Sequence, residues 1–193
     1  MDEQMLAAAL ASQDPKAVQE LVSLYGDRLL RSAFLLSGNE TEAEDLVQET
    51  FLQAVRSIHR FRGCSSLYTW LHAILLNLTR HYHRNRKRLV YQENAVALEP
   101  ANAIQDASPL GLDLETSSDS LEAALRRLSA PHREVVVLRF YEDLKIHEIA
   151  RQLGISKGTV KSRLHYALGQ LQKLVPKDMN LFGDNDTKRI ETR

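Results

Sequence analysis

Apolar residues recur at intervals of three and four along most of this chain, and no stretch combines strand-like alternation with hairpin turns. Before residue 89, where glycine and proline are scarce, three such stripes are separated by Gly38-Asn39 and by residues 61–63. The stripes are Leu21, Tyr25, Leu29 and Ala33; Val47, Phe51, Ala54 and Ile58; and Leu67, Leu71, Ile74, Leu78 and Tyr82. The pattern predicts an all-α fold that begins with a helical bundle over residues 1–88.

The helical spacing disappears over residues 89–119, which contain Pro100, Pro109 and Gly111. A stretch of about 30 residues is too long for an ordinary loop inside a compact domain, so it is interpreted as a flexible linker. Two small helical domains are therefore expected, with a linker between them.

Helical spacing returns at Ser120, which is interpreted as the N-cap of a helix with Glu122 in its first turn. Pro131 is expected to open the next helix, which should end near Glu142-Asp143. The second domain is therefore placed at residues 120–175. A polar tail, residues 176–193, follows it.

Composition excludes several classes of protein. No run approaches the roughly 18 apolar residues of a membrane span, and the first residues lack the order of a signal peptide. A lone cysteine, Cys64, excludes an intramolecular disulfide framework and a Cys-rich zinc site. His81 and His83 diverge on a helix, so no metal site is expected there. We expect a cytoplasmic protein without membrane insertion or cofactor.

The net charge of zero conceals a strongly uneven distribution. Residues 80–88 carry five basic and no acidic side chains, whereas residues 89–119 carry six acidic and no basic ones. Residues 120–175 are basic again, with a net charge of +5. Two basic blocks separated by an acidic linker indicate two places that meet a polyanion, although solvated surface is an equally open reading at this point.

Residues 146–165, IHEIARQLGISKGTVKSRLH, have the spacing of a helix-turn-helix. Ala150 is small enough for a close helix crossing, Gly154 stands where the chain must turn, and Ser156 can cap the second helix. On that second helix Val160, Leu164, Ala167 and Leu171 should face the core. Polar and cationic side chains should face outward, which favours contacts with DNA phosphates and base edges over a merely solvated face. These are Ser156, Lys157, Thr159, Lys161, Ser162, Arg163, His165 and Tyr166.

Two surfaces are expected on the first domain. A leucine among polar and charged residues on one helix face is typical of a docking surface, although a stray surface leucine is equally compatible. This face carries Asp45, Gln48, Glu49, Leu52 and Arg56. The second surface combines an aromatic ring, an amide and cations, which suit single-stranded nucleic acid, unless Trp70 is simply a core residue. It comprises Trp70, Asn77, Arg80 and Arg84.

Three segments resemble the extracytoplasmic-function (ECF) subfamily of bacterial sigma-70-type sigma factors. They are AEDLVQETFLQAV (43–55), FRGCSSLYTWLHAILLNL (61–78) and EIARQLGISKGTVKSRLHYAL (148–168). The resemblance implies a region 2 domain that docks on core RNA polymerase and melts the −10 promoter element, and a region 4 domain that reads the −35 element. It also implies a non-enzymatic function, with core polymerase, promoter DNA and an anti-sigma factor as partners.

Individual roles follow from the same resemblance. Asp45, Gln48 and Glu49 resemble residues that grip the clamp helices of the largest polymerase subunit, and region 4 is expected to meet the flap of the second-largest subunit. A base-capture loop for one flipped −10 base would comprise Phe61, Arg62, Gly63, Cys64, Ser65 and Ser66, with Asn77 behind it. Lys161, Ser162, His165 and Tyr166 occupy −35-reading positions. The acidic linker would thread through polymerase channels that later hold RNA.

The chain departs from the family pattern at Leu75, Leu76, His81, Tyr166 and Leu168, which leaves the preferred promoter sequence open. A redox role for Cys64 is also open, and a small, partly buried residue is the simpler expectation. The alternative function is a stand-alone helix-turn-helix regulator with a helical sensor domain, which would bind duplex operator by itself.

Overall fold

A computed structural model describes residues 2–96 and 117–174, with side chains up to residue 85 and from residue 121. The described residues form helices joined by short turns, which confirms the all-α prediction for them. The chain divides into two compact units, Met1–Asn102 and Ala103–Arg193. Within the described ranges, every helix is too short or too polar to cross a membrane.

The described part of the first unit, residues 2–96, contains four α-helices. They are α1 (Glu3–Ala11), α2 (Pro15–Ser37), α3 (Glu40–Ser57) and α4 (Leu67–Val96), and a 3-10 turn (Ile58–Arg60) follows α3. Local chemistry sets the starts of α2 and α3: the Asp14 carboxylate accepts the Lys16 N–H at 3.0 Å, and the Asn39 side chain accepts the Glu42 N–H at 3.0 Å. Gly38 ends α2 in the left-handed conformation, at φ 80°.

The core of the first unit forms where α2 packs against both α3 and α4. The first two predicted stripes are confirmed as core-facing, with only Tyr25 left half-buried. The stripe on α4 also faces the core, with Leu67 and Leu71 buried and Ile74, Leu78 and Tyr82 half-buried against it. Leu75 and Leu76, which the predicted stripe does not include, are buried as well. Because α4 contacts both α2 and α3, the part of its circumference that is buried is wider than the single predicted stripe.

The position of α4 also bears on the expected linker. The helix continues to Val96, so residues 89–96, which the sequence assigned to the linker, are helical in the structure. The basic run at residues 80–88 consequently lies within one continuous helix. Residues 97–116, the remainder of the acidic linker up to α5, lie outside the described residues, as do residue 175 and the predicted tail at residues 176–193.

The second unit contains α5 (Ser117–Arg127), α6 (Ala130–Val136), a π-helical turn (Val137–Tyr141), α7 (Ile146–Leu153) and α8 (Lys157–Leu174). Pro131 lies in the first turn of α6, as predicted. The expected N-cap at Ser120 is wrong, because α5 already begins at Ser117. The residues at 117–119 are polar and of types that are common at helix N-termini. The first turn of α5 forms there although it contains no apolar residue that would show helical spacing in the sequence.

Candidate nucleic-acid interfaces

The turn between α7 and α8 has helix-turn-helix geometry. Gly154 takes the left-handed conformation, at φ 65°, which a residue with a Cβ adopts only with strain. The Ile155 N–H donates to the Ala150 carbonyl at 3.1 Å and closes the end of α7. Ser156 Oγ accepts the Thr159 N–H at 3.0 Å, which makes Ser156 the cap of α8, as the sequence predicts.

The two faces of α8 differ as predicted. Val160, Leu164, Ala167 and Leu171 are fully buried. Leu168 is buried with them. The expected contact residues are all exposed or half-exposed: Ser156, Lys157, Thr159, Lys161, Ser162, Arg163, His165 and Tyr166.

Several hydroxyl groups on this face already have partners. Ser156 Oγ and Thr159 Oγ1 lie 2.9 Å apart, and Ser162 Oγ donates to the Thr159 carbonyl at 3.1 Å. Ser156 and Thr159 therefore shape the N-terminus of α8.

Tyr166 is 66% exposed, and its ring stacks on His132 of α6, with the ring centroids 6.3 Å apart and the planes inclined by 17°. His165 meets the same tyrosine edge-on, at 6.2 Å. Offset stacking at this distance is favourable, so His132 restricts where the exposed ring can lie. Sequence reasoning missed His132, because no motif links it to a residue 34 positions later.

His132 has an unusual electrostatic environment. Burial lowers the pKa of His132, and the positive charge of Arg163 lowers it further. The imidazole is therefore uncharged at neutral pH in the folded protein. Because the unfolded chain takes up the proton more readily, this histidine's contribution to stability is complete above about pH 6.5 and is lost as the pH falls below that value.

Titration of His132 checks this environment. We expect Arg163→Gln to raise the pKa of His132 toward its ordinary value without reaching it, because burial remains. The measurement is the pH dependence of the His132 imidazole resonance by NMR. Arg151→Gln, which removes an exposed cation from α7, is the matched control. An unchanged His132 pKa in Arg163→Gln would contradict the electrostatic account.

One face of α3 brings the predicted docking residues together. Asp45, Gln48, Glu49, Leu52 and Arg56 are all exposed, and their spacing places them on one side of the helix. The opposite side, with Val47 and Phe51, lies in the core. Leu52 is 51% exposed in the middle of the polar group, so this face is available to a partner that covers a leucine and pairs with charges.

The loop at residues 61–66 connects the 3-10 turn to α4. Phe61 is half-buried and its ring packs against Trp70, with centroids 5.6 Å apart, whereas residues 62–66 are exposed. Gly63 has φ 68°, a conformation that glycine adopts readily. Ser66 Oγ accepts the Thr69 N–H at 3.1 Å and caps α4. The expectation that Cys64 is partly buried is wrong, because it belongs to this exposed loop.

The predicted surface on α4 continues from this loop. Trp70 is half-buried, so it is neither a full core residue nor a free platform. Asn77 and Arg84 are exposed and Arg80 is half-exposed, and their spacing keeps them on one side of the helix. Between Trp70 and Arg84 the helix rises by about 21 Å, so the surface is long enough for several nucleotides.

Comparison with known families divides the chain in the same way as its contacts do. The family model described as Sigma-70 region 2 matches residues 21–89, and the one described as Sigma-70, region 4 matches residues 124–173. The first match includes the docking face of α3, the loop and the adjoining surface of α4. The second includes α6, α7 and most of α8.

Individual relatives are similar over most of this chain. The ECF RNA polymerase sigma factor SigE of Mycolicibacterium smegmatis is 37% identical over 177 residues, which are 88% of this chain and 64% of SigE. The ECF RNA polymerase sigma factor EcfG of Rhodopseudomonas palustris is 36% identical over 81% of this chain and 84% of EcfG. The sigma factor RpoE of Bartonella quintana, solved with the anti-sigma factor NepR, is 33% identical, with a TM-score of 0.63 over 81% of this chain and 94% of that chain.

Proposed function

Because this chain belongs to the ECF subfamily of sigma-70-type RNA polymerase sigma factors, we propose that it binds core RNA polymerase, brings the enzyme to promoters with −35 and −10 elements, and helps to open the duplex. The alternative of a stand-alone helix-turn-helix regulator is wrong, because the chain is a sigma factor with a region 2 domain as well as a region 4 domain.

The observation that carries this proposal is the polar outward face of α8, which follows a helix-turn-helix turn at Gly154. In this arrangement the N-terminal part of the second helix lies in the major groove and its side chains reach base edges. Lys161 and Arg163 supply phosphate attraction. Ser162, His165 and Tyr166 supply base discrimination, with the Tyr166 ring held by His132.

The first unit supplies the other two activities. The α3 face around Leu52 docks on the clamp helices of the largest polymerase subunit. The loop at residues 61–66, with Asn77, captures an unpaired −10 base, and the cations of α4 hold the flanking phosphates. An exposed loop beside a half-buried Phe61–Trp70 pair supports this assignment, since it offers polar atoms next to aromatic rings.

Two further partners belong to the proposal. The second unit meets the flap of the second-largest polymerase subunit, and an anti-sigma factor restrains the free protein. The anti-sigma proposal is supported by the similarity to the Bartonella quintana sigma factor, which was solved with such a partner.

Reconstitution with bacterial core RNA polymerase tests the whole proposal. We expect a stable complex and transcripts that depend on a promoter with both elements. The chain alone, on the same promoter without polymerase, is the control for independent operator binding. Failure to form a complex with the core enzyme would contradict the proposal.

Substitutions on α8 test the −35 assignment. Lys161→Ala should weaken binding to all DNA sequences. It should also reduce the slope of log affinity against log salt concentration by about one unit, because one phosphate contact is lost. His165→Ala or Tyr166→Ala should instead change the preferred −35 bases. Lys173→Ala, an exposed lysine twelve positions further along α8, is the matched control for charge. A wild-type −35 preference in both the His165 and Tyr166 variants, measured on promoter libraries, would show that α8 is misassigned.

A further inference from the structure

Glu3, near the N-terminus of the chain, makes two hydrogen bonds to distant parts of the first unit. Glu3 Oε2 accepts the Leu67 N–H at 3.0 Å, and Glu3 Oε1 accepts the Tyr25 hydroxyl at 3.1 Å. Leu67 is the first residue of α4, 64 positions away in the sequence. The carboxylate therefore satisfies a backbone donor that the helix itself leaves without an intrahelical partner.

The rest of α1 holds this carboxylate in place. Leu6 and Leu10 are fully buried in the same core as Leu67 and Leu71, and α1 also packs against the 3-10 turn at Ile58–Arg60. That turn ends immediately before the loop at residues 61–66, and Leu67 follows immediately after it. One short helix thus contacts both ends of the loop.

The contacts matter because the loop has little support of its own. Residues 62–66 are exposed, and the Ser65 and Ser66 side chains make local hydrogen bonds, to residues 66 and 69. Burial of Ile58 fixes one end, and Glu3 with Ser66 fixes the other. A negative charge at the start of α4 also interacts favourably with the helix dipole.

We propose that α1, which precedes the Sigma-70 region 2 match, is a strap for the base-capture loop, and that Glu3 is a positioning residue for opening of the −10 element. This inference rests on the proposed function of the loop. Glu3 acts through the Leu67 amide: it fixes where α4 begins, and with it the direction in which the loop presents its backbone and hydroxyl groups.

Glu3→Ala tests the strap, with Asp2→Ala as its control. Asp2 is exposed, carries the same charge one position earlier, and its side chain makes no capping hydrogen bond. We expect Glu3→Ala to slow opening of a duplex promoter by about tenfold, the scale of a lost charged hydrogen bond. Asp2→Ala should open it at the wild-type rate. On a template with a pre-melted −10 bubble, and in affinity for core polymerase, the Glu3 variant should match wild type.

Three readouts separate positioning from general unfolding. Hydrogen exchange at the Leu67 amide should accelerate in Glu3→Ala while the variant still unfolds in a single cooperative transition. Glu3→Gln retains an acceptor oxygen and should recover part of the opening rate. The burial and the Glu3 contact that raise the pKa of Tyr25 to about 12 provide a direct marker, since Glu3→Ala should lower it.

The outcomes distinguish this inference from the proposed function. Equal opening rates for Glu3→Ala and Asp2→Ala, together with faster Leu67 exchange in the former, would overturn the strap. A defect that persists on the bubble template would also overturn the strap, because the impaired step would then be one other than duplex opening. If substitutions within the loop itself leave opening unchanged, the proposed function of the loop fails first.

Discussion

An Asp45→Ala, Glu49→Ala variant is expected to bind core RNA polymerase at least about 30-fold more weakly than wild type. Both carboxylates are exposed on α3, on the side of the helix that carries Leu52 and away from the core. Interface hot spots cost about 2 kcal/mol or more when truncated. Changes on an exposed helix face usually alter stability by no more than about 0.5 kcal/mol, so the melting temperature should stay near that of wild type.

A matched control lies on the same helix. Glu40→Ala with Glu44→Ala removes the same charge from exposed positions on other sides of α3 and should retain polymerase affinity. The measurement is the equilibrium affinity for core polymerase by fluorescence anisotropy, beside thermal denaturation. If both double variants lose affinity equally, long-range charge rather than this face would explain the binding. Unchanged affinity in the Asp45, Glu49 variant would contradict the docking assignment.

Removing the polar groups of the loop and of α4 should slow promoter opening by about tenfold to hundredfold. Base flipping costs a few kcal/mol, and contacts to the unpaired base must return that energy. We therefore expect Asn77→Ala combined with Ser65→Ala to open duplex promoters slowly and to alter the −10 preference. Polymerase affinity and −35 binding should be unchanged. Ser66 is left intact because it caps α4.

Permanganate reactivity of the −10 thymines measures the opening step. A pre-melted bubble should rescue the variant, because the unfavourable step has already been made. Asn85→Ala, an exposed asparagine on another side of α4, is the control and should open duplex normally. Normal opening with an unaltered −10 preference in the Asn77, Ser65 variant would refute the base-capture role. Failure on both templates would also contradict it and indicate a structural defect.

The proposed functional surfaces were predictable wherever one helix carries the whole surface. The face of α3 around Leu52 and the outward face of α8 follow from the 3.6-residue period, because neighbours on one helix are fixed by their spacing alone. The roles of Gly154 in the turn and of Ser156 as an N-cap were also predictable, since a left-handed turn and an N-cap are requirements of the local backbone.

Packing between helices decided the rest. The period of α4 is visible in the sequence, but burial of Leu75 and Leu76 depends on its contacts with α2 and α3. The start of α5 at Ser117 was also missed by the sequence pattern. Its first-turn residues are polar, so the periodic spacing of apolar residues begins only after them.

The helical fold, the place of the helix-turn-helix and the grouping of polar residues on single faces of α3 and α8 follow from the sequence alone, because each of these depends on neighbours within a few residues. Helix packing brings Glu3 to the Leu67 amide and His132 against Tyr166, and no local pattern in the sequence predicts either contact. Such contacts join residues 64 and 34 positions apart, and their partners are selected by how whole helices pack.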